Sequence, residues 1–431
     1  MNEKYHQIIL HVGMHKTGTT SIQNNCYRNR KTLAEHGIIY PSFSYLDQTR
    51  SNHSGPITAA VSDKPDRYGE QWRAGLGNNP KALQQAYQDQ FRELLDTPKA
   101  DTLILSGETI SAFANDDLKK LRKQLLQHTD HLKVLVYLRN PASAVGSILQ
   151  QRVRGGGDRD TDDNIIALAS ISRRRYQRLK KVFGDSLDVL NFHEAVSQPS
   201  GLVGSFMEFC GLPAEETLKL EFAAANPRTS MESFKLMLAI NKVYPAKSGD
   251  EGRQREYNDL RPLSLLPGQP FRMENLDSAK VQREIDAETQ WLSKELNLNF
   301  PETPAKTEQS ELWNTPVLYA VEEAIRALEN DHHRIAAADF LLEESAQITP
   351  GNPTAGTILA FIAQKIKAVE TNPAPLILER LGADYFKNSA LAIENYSPEL
   401  ALELMSLAQH LRPGGKTVNK SILKYQKRLP E

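Results

Sequence analysis

Residues with the chemistry to bind an anion are concentrated in one short stretch near the start of the sequence, HVGMHKTGTT, at positions 11–20. Its lysine offers a mobile positive charge, its threonines offer hydroxyl donors, and the glycine between them lets a ligand approach the backbone closely. We predict that this loop holds a phosphate-like group. The residues predicted to contact that group are Lys16, Thr17, Gly18, Thr19, Thr20 and Ser21.

The sequence around the loop predicts the elements that position it. An apolar run at 8–10 predicts a short buried strand, and the apolar spacing of 22–36 predicts an amphipathic helix that ends at Gly37. A helix that begins directly after the loop presents free backbone N–H groups and the positive end of its dipole to an anion. The order of residues is not that of a Walker A loop, because His15 rather than a glycine precedes Lys16.

A carboxylate and a histidine are the candidate acid–base groups. Glu108 follows the apolar strand predicted at 102–106, and open α/β sheets place their ligands beyond the carboxyl ends of such strands. Glu108 can therefore serve as a general base, or it can have a structural role such as pairing with Arg139. His53 lies in a polar stretch, 42–80, that is broken by glycine and proline and is predicted to be a long loop.

A second phosphate site is predicted at the end of another strand. The apolar run 134–138 ends at Arg139, and a helix is predicted to begin at Pro141 with Asn140 as its N-cap. Ser147 lies on the polar face of that helix, so that an arginine fork and a hydroxyl group can converge on one phosphate.

Strands and helices alternate through the first 300 residues, and the strands are unbroken apolar runs. This pattern predicts an α/β fold, a parallel sheet flanked by helices with a P-loop-like phosphate loop. Beyond that part of the chain only helical periodicity is visible. We therefore predict a first domain at 1–300, a linker at 301–310 and an all-helical domain at 311–431.

The helical region resembles degenerate tetratricopeptide repeats. Two stretches with alanine and leucine at helical spacing end in proline turns at Pro350 and Pro413. The signature aromatic positions of that repeat are mostly absent, so an unrelated helical bundle stays open as an alternative. The resemblance implies a candidate surface for a protein partner.

The two phosphate motifs together resemble those of bacterial sulfotransferases that use 3′-phosphoadenosine 5′-phosphosulfate (PAPS). The order Lys-Thr-Gly-Thr-Thr at 16–20 resembles their 5′-phosphosulfate loop. The sequence VYLRNPASAVGS places Ser147 eight residues after Arg139, as in the family's 3′-phosphate site. Less specific similarity extends the resemblance over roughly residues 5–300. Where phenol sulfotransferases have an aromatic residue after the loop threonines, this chain has Ser21.

This resemblance implies a sulfotransferase that moves a sulfuryl group from PAPS to a hydroxyl or amine acceptor, with a carbohydrate or glycolipid as the favoured class. It implies that Lys16 stabilises the leaving 5′-phosphate and that Glu108 is the catalytic base, with His53 in reserve. It also implies that PAPS, the sulfate donor, is bound without a metal ion. The acceptor itself is not specified by the sequence, and an anionic carbohydrate is among the candidates.

Two other functions stay open. An ATP-dependent P-loop kinase is disfavoured by the missing glycine before Lys16 and by the lack of a strand that ends in aspartate. A catalytically inactive scaffold that binds partners through its C-terminal helices is disfavoured by the presence of Lys16, Glu108, Arg139 and Ser147. Calorimetry with nucleotides would distinguish the three functions. A preference for PAPS would indicate the sulfotransferase, magnesium-dependent binding of ATP would indicate the kinase, and no nucleotide binding would indicate the scaffold.

The composition bounds the remaining function classes. A chain of 431 residues can form two or three domains, and a net charge of −1 gives no overall attraction to nucleic acid. The two cysteines, Cys26 and Cys210, argue against a disulfide framework or a zinc site and suit a reducing compartment. The sequence shows neither a signal segment nor an apolar run of transmembrane length. We predict a soluble, cytoplasmic protein.

Overall fold

The computed structural model describes residues 4–73, 79–157, 161–220, 229–246, 259–271, 278–300, 312–371, 383–384, 386–391, 394 and 398–427. The chain forms two compact units. The first comprises Met1–Ile148, Asp160–Asn226 and Met273–Pro304, and the second comprises Leu149–Arg159, Pro227–Arg272 and Ala305–Glu431.

The first unit is built around a parallel sheet. Its strands are β1 (Tyr5–Val12), β2 (Ile38–Ile39), β5 (Thr102–Gly107), β6 (Thr129–Leu138) and β7 (Leu187–Asn191), while β3 (Phe43–Tyr45) and β4 (Gln48–Arg50) form a separate antiparallel hairpin. The sheet has the order β2-β5-β1-β6-β7, and each neighbouring pair is parallel. In this register Val12 pairs with Gly107, and His11 pairs with Leu135. The segments that follow β5, β1 and β6 therefore leave the sheet side by side.

Both faces of the sheet are buried, which explains why its strands are continuous apolar runs. Leu10 and Val12 of β1 join the apolar cluster on one face, and Ile9 joins the cluster on the other.

The helices of the described residues, in chain order, are α1 (Thr19–Arg28), α2 (Arg30–Glu35), α3 (Ser54–Val61), α4 (Pro80–Asp96), α5 (Asn115–Gln127), α6 (Pro141–Arg154), α7 (Asp162–Ala169), α8 (Ile171–Phe183), α9 (Phe192–Ser197), α10 (Gly201–Phe209), α11 (Ala214–Thr217), α12 (Met231–Val243), α13 (Ala279–Leu296), α14 (Thr315–Arg326), α15 (Asp331–Ile348), α16 (Pro353–Thr371), α17 (Pro398–Leu411) and α18 (Lys416–Gln426). The predicted α/β class, a parallel sheet flanked by helices and followed by a helical region, is confirmed.

The prediction of a long loop at 42–80 is wrong, because this stretch contains the hairpin β3–β4 and the helix α3. Gly55 and Pro56 would destabilise the middle of a helix, but they lie in the first turn of α3. A backbone N–H in the first turn has no intrahelical acceptor, so a proline there costs no hydrogen bond. Gly55 packs against the buried Trp72, and a β-carbon at Gly55 would lie 3.0 Å from the Trp72 carbonyl oxygen. The glycine thus serves close packing rather than a loop.

The helix predicted at 22–36 is two helices, α1 and α2, which meet at Asn29. The Asn29 side-chain amide donates to the Asn25 carbonyl at 2.9 Å, a local bond of the kind that competes with regular helix geometry.

Buried polar contacts in the second unit join α12 to the C-terminal helices. The Glu344 carboxylate accepts hydrogen bonds from Lys235 Nζ at 2.6 Å and from Trp313 Nε1 at 3.0 Å. Glu232 is fully buried and accepts from the backbone N–H of Trp313 at 3.4 Å. These contacts stabilise the packing of α12 within this unit.

The compact units do not follow the predicted boundary at residue 300, since α12 belongs to the second unit. A cut at that boundary would separate Glu232 and Lys235 from Trp313 and Glu344. The predicted linker at 301–310 lies outside the described residues. The independent folding of 1–300 and the likeness of the C-terminal helices to tetratricopeptide repeats stay predictions.

Candidate active site

Three adjacent strands deliver predicted site residues to one edge of the sheet. The loop 13–18 follows β1, Glu108 follows β5, and Arg139 follows β6. Because β1 lies between β5 and β6, the loop lies between the carboxylate and the guanidinium. The structure therefore brings Lys16, Glu108 and Arg139 into one neighbourhood at the carboxyl ends of the strands, where such sheets bind ligands.

The loop has a strained backbone. Lys16 has φ 61° and Gly18 has φ 74°, both in the left-handed region. A left-handed conformation at a residue other than glycine costs on the order of 1–3 kcal/mol, and such residues concentrate at ligand-binding sites. Among the hydrogen bonds that support the loop, Arg139 Nη1 donates to the Lys16 carbonyl at 2.8 Å, and Thr17 Oγ1 donates to the Met14 carbonyl at 2.9 Å.

Hydrogen-bond donors without an acceptor in the described part of the chain lie at the start of α1. The first intrahelical hydrogen bond runs from the Ile22 N–H to the Gly18 carbonyl at 3.1 Å, so the three N–H groups before it have no intrahelical acceptor. Thr19 Oγ1 is buried and has no hydrogen-bond partner among the residues that the structure describes. An anion in the loop would satisfy these groups. In the same turn Thr20 is exposed and Ser21 is half-buried.

Two glycines allow the loop to close on the helix start. A β-carbon at Gly13 would lie 2.3 Å from Thr19 Oγ1, which leaves no room for any larger residue. A β-carbon at Gly18 would lie 2.2 Å from the end of the Leu202 side chain, and its positive φ would strain any other residue. Both glycines are therefore needed for close packing within the protein, Gly13 against Thr19 and Gly18 against Leu202.

Arg139 is held by several partners. Besides the Lys16 carbonyl, its Nε donates to Ser143 Oγ at 2.8 Å, and its guanidinium lies over the Phe192 ring at 5.0 Å from the centroid. Asn140 Oδ1 accepts from the Ser143 N–H at 3.2 Å, as expected of an N-cap. Ser147 lies one turn beyond Ser143 on α6 and is half-buried. The structure thus shows Arg139 supporting the loop, and its binding of a second phosphate together with Ser147 stays a prediction.

The Glu108 carboxylate is partly exposed and is bonded to a histidine. Its Oε1 lies 2.6 Å from Nδ1 of His15, and the side chains are 37% and 42% exposed respectively. The partner of Glu108 is thus His15, whereas the structural alternative from the sequence was Arg139. His15 Nε2 lies 3.1 Å from Nη2 of Arg175, which the sequence did not predict as a partner of either residue.

The backbone of Glu108 is fixed as well. Its N–H donates to Ser54 Oγ at 2.8 Å, and its carbonyl accepts from Ser111 Oγ at 2.8 Å. Ser54 is the first residue of α3, so this support depends on the helix that the sequence did not predict. The carboxylate therefore projects from a well-held backbone position.

His53 is buried within the fold and does not have the environment of a catalytic base in a cleft. It is fully buried, its Nε2 donates to the Pro41 carbonyl at 2.9 Å, and its Nδ1 accepts from the Ser106 N–H at 3.1 Å. Burial lowers its pKa to about 4. With both ring nitrogens engaged in the fold, His53 has no free position from which to take a substrate proton.

Two buried histidines predict that the fold is sensitive to acid. Burial lowers the pKa of His11 to about 3, as it lowers that of His53 to about 4, so the folded state favours neutral rings. In the unfolded chain histidine titrates near 6.5. The contribution of these neutral rings to the free energy of unfolding is therefore fully present above this pH. It is lost as the pH falls, by up to roughly 1.4 kcal/mol per pH unit for each ring.

This loss can be measured by urea unfolding between about pH 7.5 and pH 5. The variant His53→Gln, which cannot titrate, should lose its free energy of unfolding less steeply than the wild-type protein over this range. A free energy of unfolding that stays constant in the wild-type protein would contradict the prediction.

Comparisons with known proteins give little further information. No family model matches the sequence, and no curated protein sequence matches it. A crystal structure of a sulfotransferase from Alicyclobacillus acidocaldarius is similar over 55% of this chain and 92% of its own, with 16% identity and a TM-score of 0.32. A similarity this distant leaves the activity to be argued from the residues of the site. Among the described residues, none of the helices combines the length and apolarity needed to cross a bilayer.

Proposed function

We propose that this protein is a sulfotransferase that moves a sulfuryl group from PAPS to a hydroxyl or amine acceptor, with a carbohydrate or glycolipid as the favoured class. One observation carries the proposal: the ends of three adjacent parallel strands bring together a strained loop with Lys16, the guanidinium of Arg139 and the partly exposed carboxylate of Glu108. The order of the loop residues and the spacing from Arg139 to Ser147 support PAPS as the donor.

Each phosphate of the donor has a proposed set of partners. The 5′-phosphosulfate would be held by the N–H groups at the start of α1, by Lys16 and by the Thr19 hydroxyl, for which the described residues offer no partner. Arg139 and Ser147 would hold the 3′-phosphate. Lys16 and the helix start supply positive charge without a metal ion, so the proposal includes activity in the presence of a chelator.

The proposed chemistry needs a base and a stabilised leaving group. The acceptor oxygen or nitrogen forms a bond to sulfur, the bond from sulfur to the bridging oxygen of the 5′-phosphate breaks, and adenosine 3′,5′-bisphosphate is released. Glu108 takes the proton that the acceptor loses. Lys16 balances the charge that develops on the leaving phosphate, as fixed positive groups do in related transfer reactions.

Substitution of Arg139 tests the donor assignment. Charge-assisted hydrogen bonds contribute roughly 1.5–3 kcal/mol, so Arg139→Ala should weaken binding of adenosine 3′,5′-bisphosphate by about tenfold or more. Ser147→Ala should weaken it by a smaller factor. Adenosine 5′-monophosphate, which lacks the 3′-phosphate, should be affected much less by either change. Isothermal titration calorimetry in EDTA measures both ligands.

The matched control is Ser143→Ala, which removes a partner of Arg139 while retaining the guanidinium. Equal losses for both nucleotides in Arg139→Ala would show that this arginine acts through the Lys16 carbonyl rather than on the 3′-phosphate. Magnesium-dependent binding of ATP by the wild-type protein would favour a kinase, and no nucleotide binding would favour a scaffold.

A further inference from the structure

The Glu108 carboxylate belongs to a closed ring of hydrogen bonds. Oε1 of Glu108 lies 2.6 Å from His15 Nδ1, and His15 Nε2 lies 3.1 Å from Arg175 Nη2. Arg175 Nη1 donates to Ser111 Oγ at 2.7 Å, and this hydroxyl donates to the Glu108 carbonyl at 2.8 Å. The ring therefore begins and ends on Glu108, with Arg175 as its opposite member.

The chemistry of the guanidinium fixes the proton positions around this ring. Arginine is a donor only, so His15 Nε2 must accept the hydrogen bond from Arg175. A histidine that accepts at Nε2 carries its proton on Nδ1, and it donates that proton to the Glu108 carboxylate. His15 is therefore a neutral ring in its Nδ1–H tautomer.

Arg175 is a suitable anchor for this arrangement. It is 9% exposed, and this burial lowers its pKa to about 10. The negative charge of Glu108 has the opposite effect and favours the protonated guanidinium. Arg175 therefore stays protonated at neutral pH and always presents donors to His15. The next turn of α8 is also hydrogen-bonded to the segment after β5, because Arg178 donates to the Phe113 carbonyl at 2.8 Å.

His15 separates the Glu108 carboxylate from the Arg175 guanidinium. A direct arginine–carboxylate pair is often formed by two parallel hydrogen bonds, which occupy both carboxylate oxygens. His15 stands between the two groups and gives Glu108 a single hydrogen bond from an uncharged ring. In the described part of the chain, no residue donates to the other oxygen, Oε2. Glu108 is thus oriented while one oxygen stays available to a substrate.

We propose that His15 and Arg175 are positioning residues for the proton transfer to Glu108. Arg175 holds His15 as the Nδ1–H tautomer, and His15 in turn orients the carboxylate toward the acceptor. This inference rests on the proposed sulfuryl transfer, but the tautomer of His15 is a property of the free protein and can be measured without any substrate.

The first test is spectroscopic and uses the full chain without ligand. Two-bond ¹H–¹⁵N correlations report the tautomer of each ring, and the signal of His15 among the 11 histidines is the one lost in His15→Asn. We expect the Nδ1–H pattern at mildly alkaline pH in the wild-type protein and a change toward Nε2–H in Arg175→Met. An Nε2–H pattern in the wild-type protein would overturn the inference, whatever the activity.

The second test is kinetic, with ³⁵S-labelled PAPS and a carbohydrate extract as the acceptor. His15→Ala and Arg175→Met should lower kcat by about tenfold to a hundredfold with little change in KM for PAPS, because misplaced reacting groups lose rate rather than donor binding. His15→Asn retains an amide donor and should keep more of the rate than His15→Ala. Circular dichroism confirms that each variant is folded.

The outcomes separate the two proposals. An unchanged kcat in His15→Ala, with the Nδ1–H pattern present in the wild-type protein, would overturn the positioning role but not the sulfotransferase assignment. Absence of transfer from PAPS by a wild-type protein that shows the Nδ1–H pattern would instead count against the proposed function.

Discussion

Replacement of Glu108 by glutamine should abolish sulfuryl transfer while leaving nucleotide affinity within a few-fold of the wild-type value. Loss of a general base usually lowers the rate by about 10²–10⁴-fold. Glutamine keeps the shape of the side chain and can still accept from His15, but it cannot take a proton from the acceptor. Turnover is measured with ³⁵S-labelled PAPS, and affinity is measured by calorimetry with adenosine 3′,5′-bisphosphate.

Two further variants make this result specific. Glu93→Gln changes an exposed carboxylate on α4 and should leave both quantities unchanged. His53→Gln should affect the stability of the fold more than turnover, since both nitrogens of His53 bond to the backbone. If Glu108→Gln kept near-normal turnover and His53→Gln lost it, His53 would be the base and Glu108 would be structural.

The residues that the sequence could place are those that follow directly from a strand. Glu108, Arg139 and the loop with Lys16 each come after an apolar run, and parallel strands bring their carboxyl ends to one edge. Local pattern and topology together are sufficient for such positions, because the register of the sheet follows from its buried strands.

The partners of Glu108 could not be placed in this way. His15 and Arg175 are 160 residues apart, and their contact depends on how α8 packs against the sheet. Arg175 is one of three consecutive arginines at 173–175, and nothing in that run indicates that this one is buried. Ser54 was missed for a related reason, since the helix that it begins lies in the stretch predicted to be a loop.

The role of His53 illustrates a different limit. Sequence identifies a histidine as a titratable group, but its function depends on exposure and on hydrogen bonds made after folding. The packing of Tyr40 at 4.5 Å between ring centroids and the two backbone bonds make His53 a structural residue. In the same way, the contact between Lys235 and Glu344 spans 109 residues and could not be inferred from the composition of the linker.

Replacement of Lys16 by alanine should impair both nucleotide binding and turnover. The lost charge-assisted contact should weaken binding of adenosine 3′,5′-bisphosphate by roughly 1.5–3 kcal/mol, which is about tenfold to a hundredfold. Loss of a group that stabilises developing charge should lower kcat by a further factor of about 10²–10³. The comparison with Glu108→Gln, in which affinity is retained, distinguishes a binding and stabilising cation from a base.

The left-handed backbone of Lys16 requires a control that separates charge from conformation. Lys16→Gly relieves the strain at φ 61° but removes the same charge, so it should be as inactive as Lys16→Ala while being more stable. Lys16→Arg retains a positive charge and should bind the nucleotide better than either. Recovery of binding and turnover in Lys16→Gly would mean that the loop acts through its backbone alone. An unchanged affinity in Lys16→Ala would place the 5′-phosphate elsewhere, and the proposed site would be wrong.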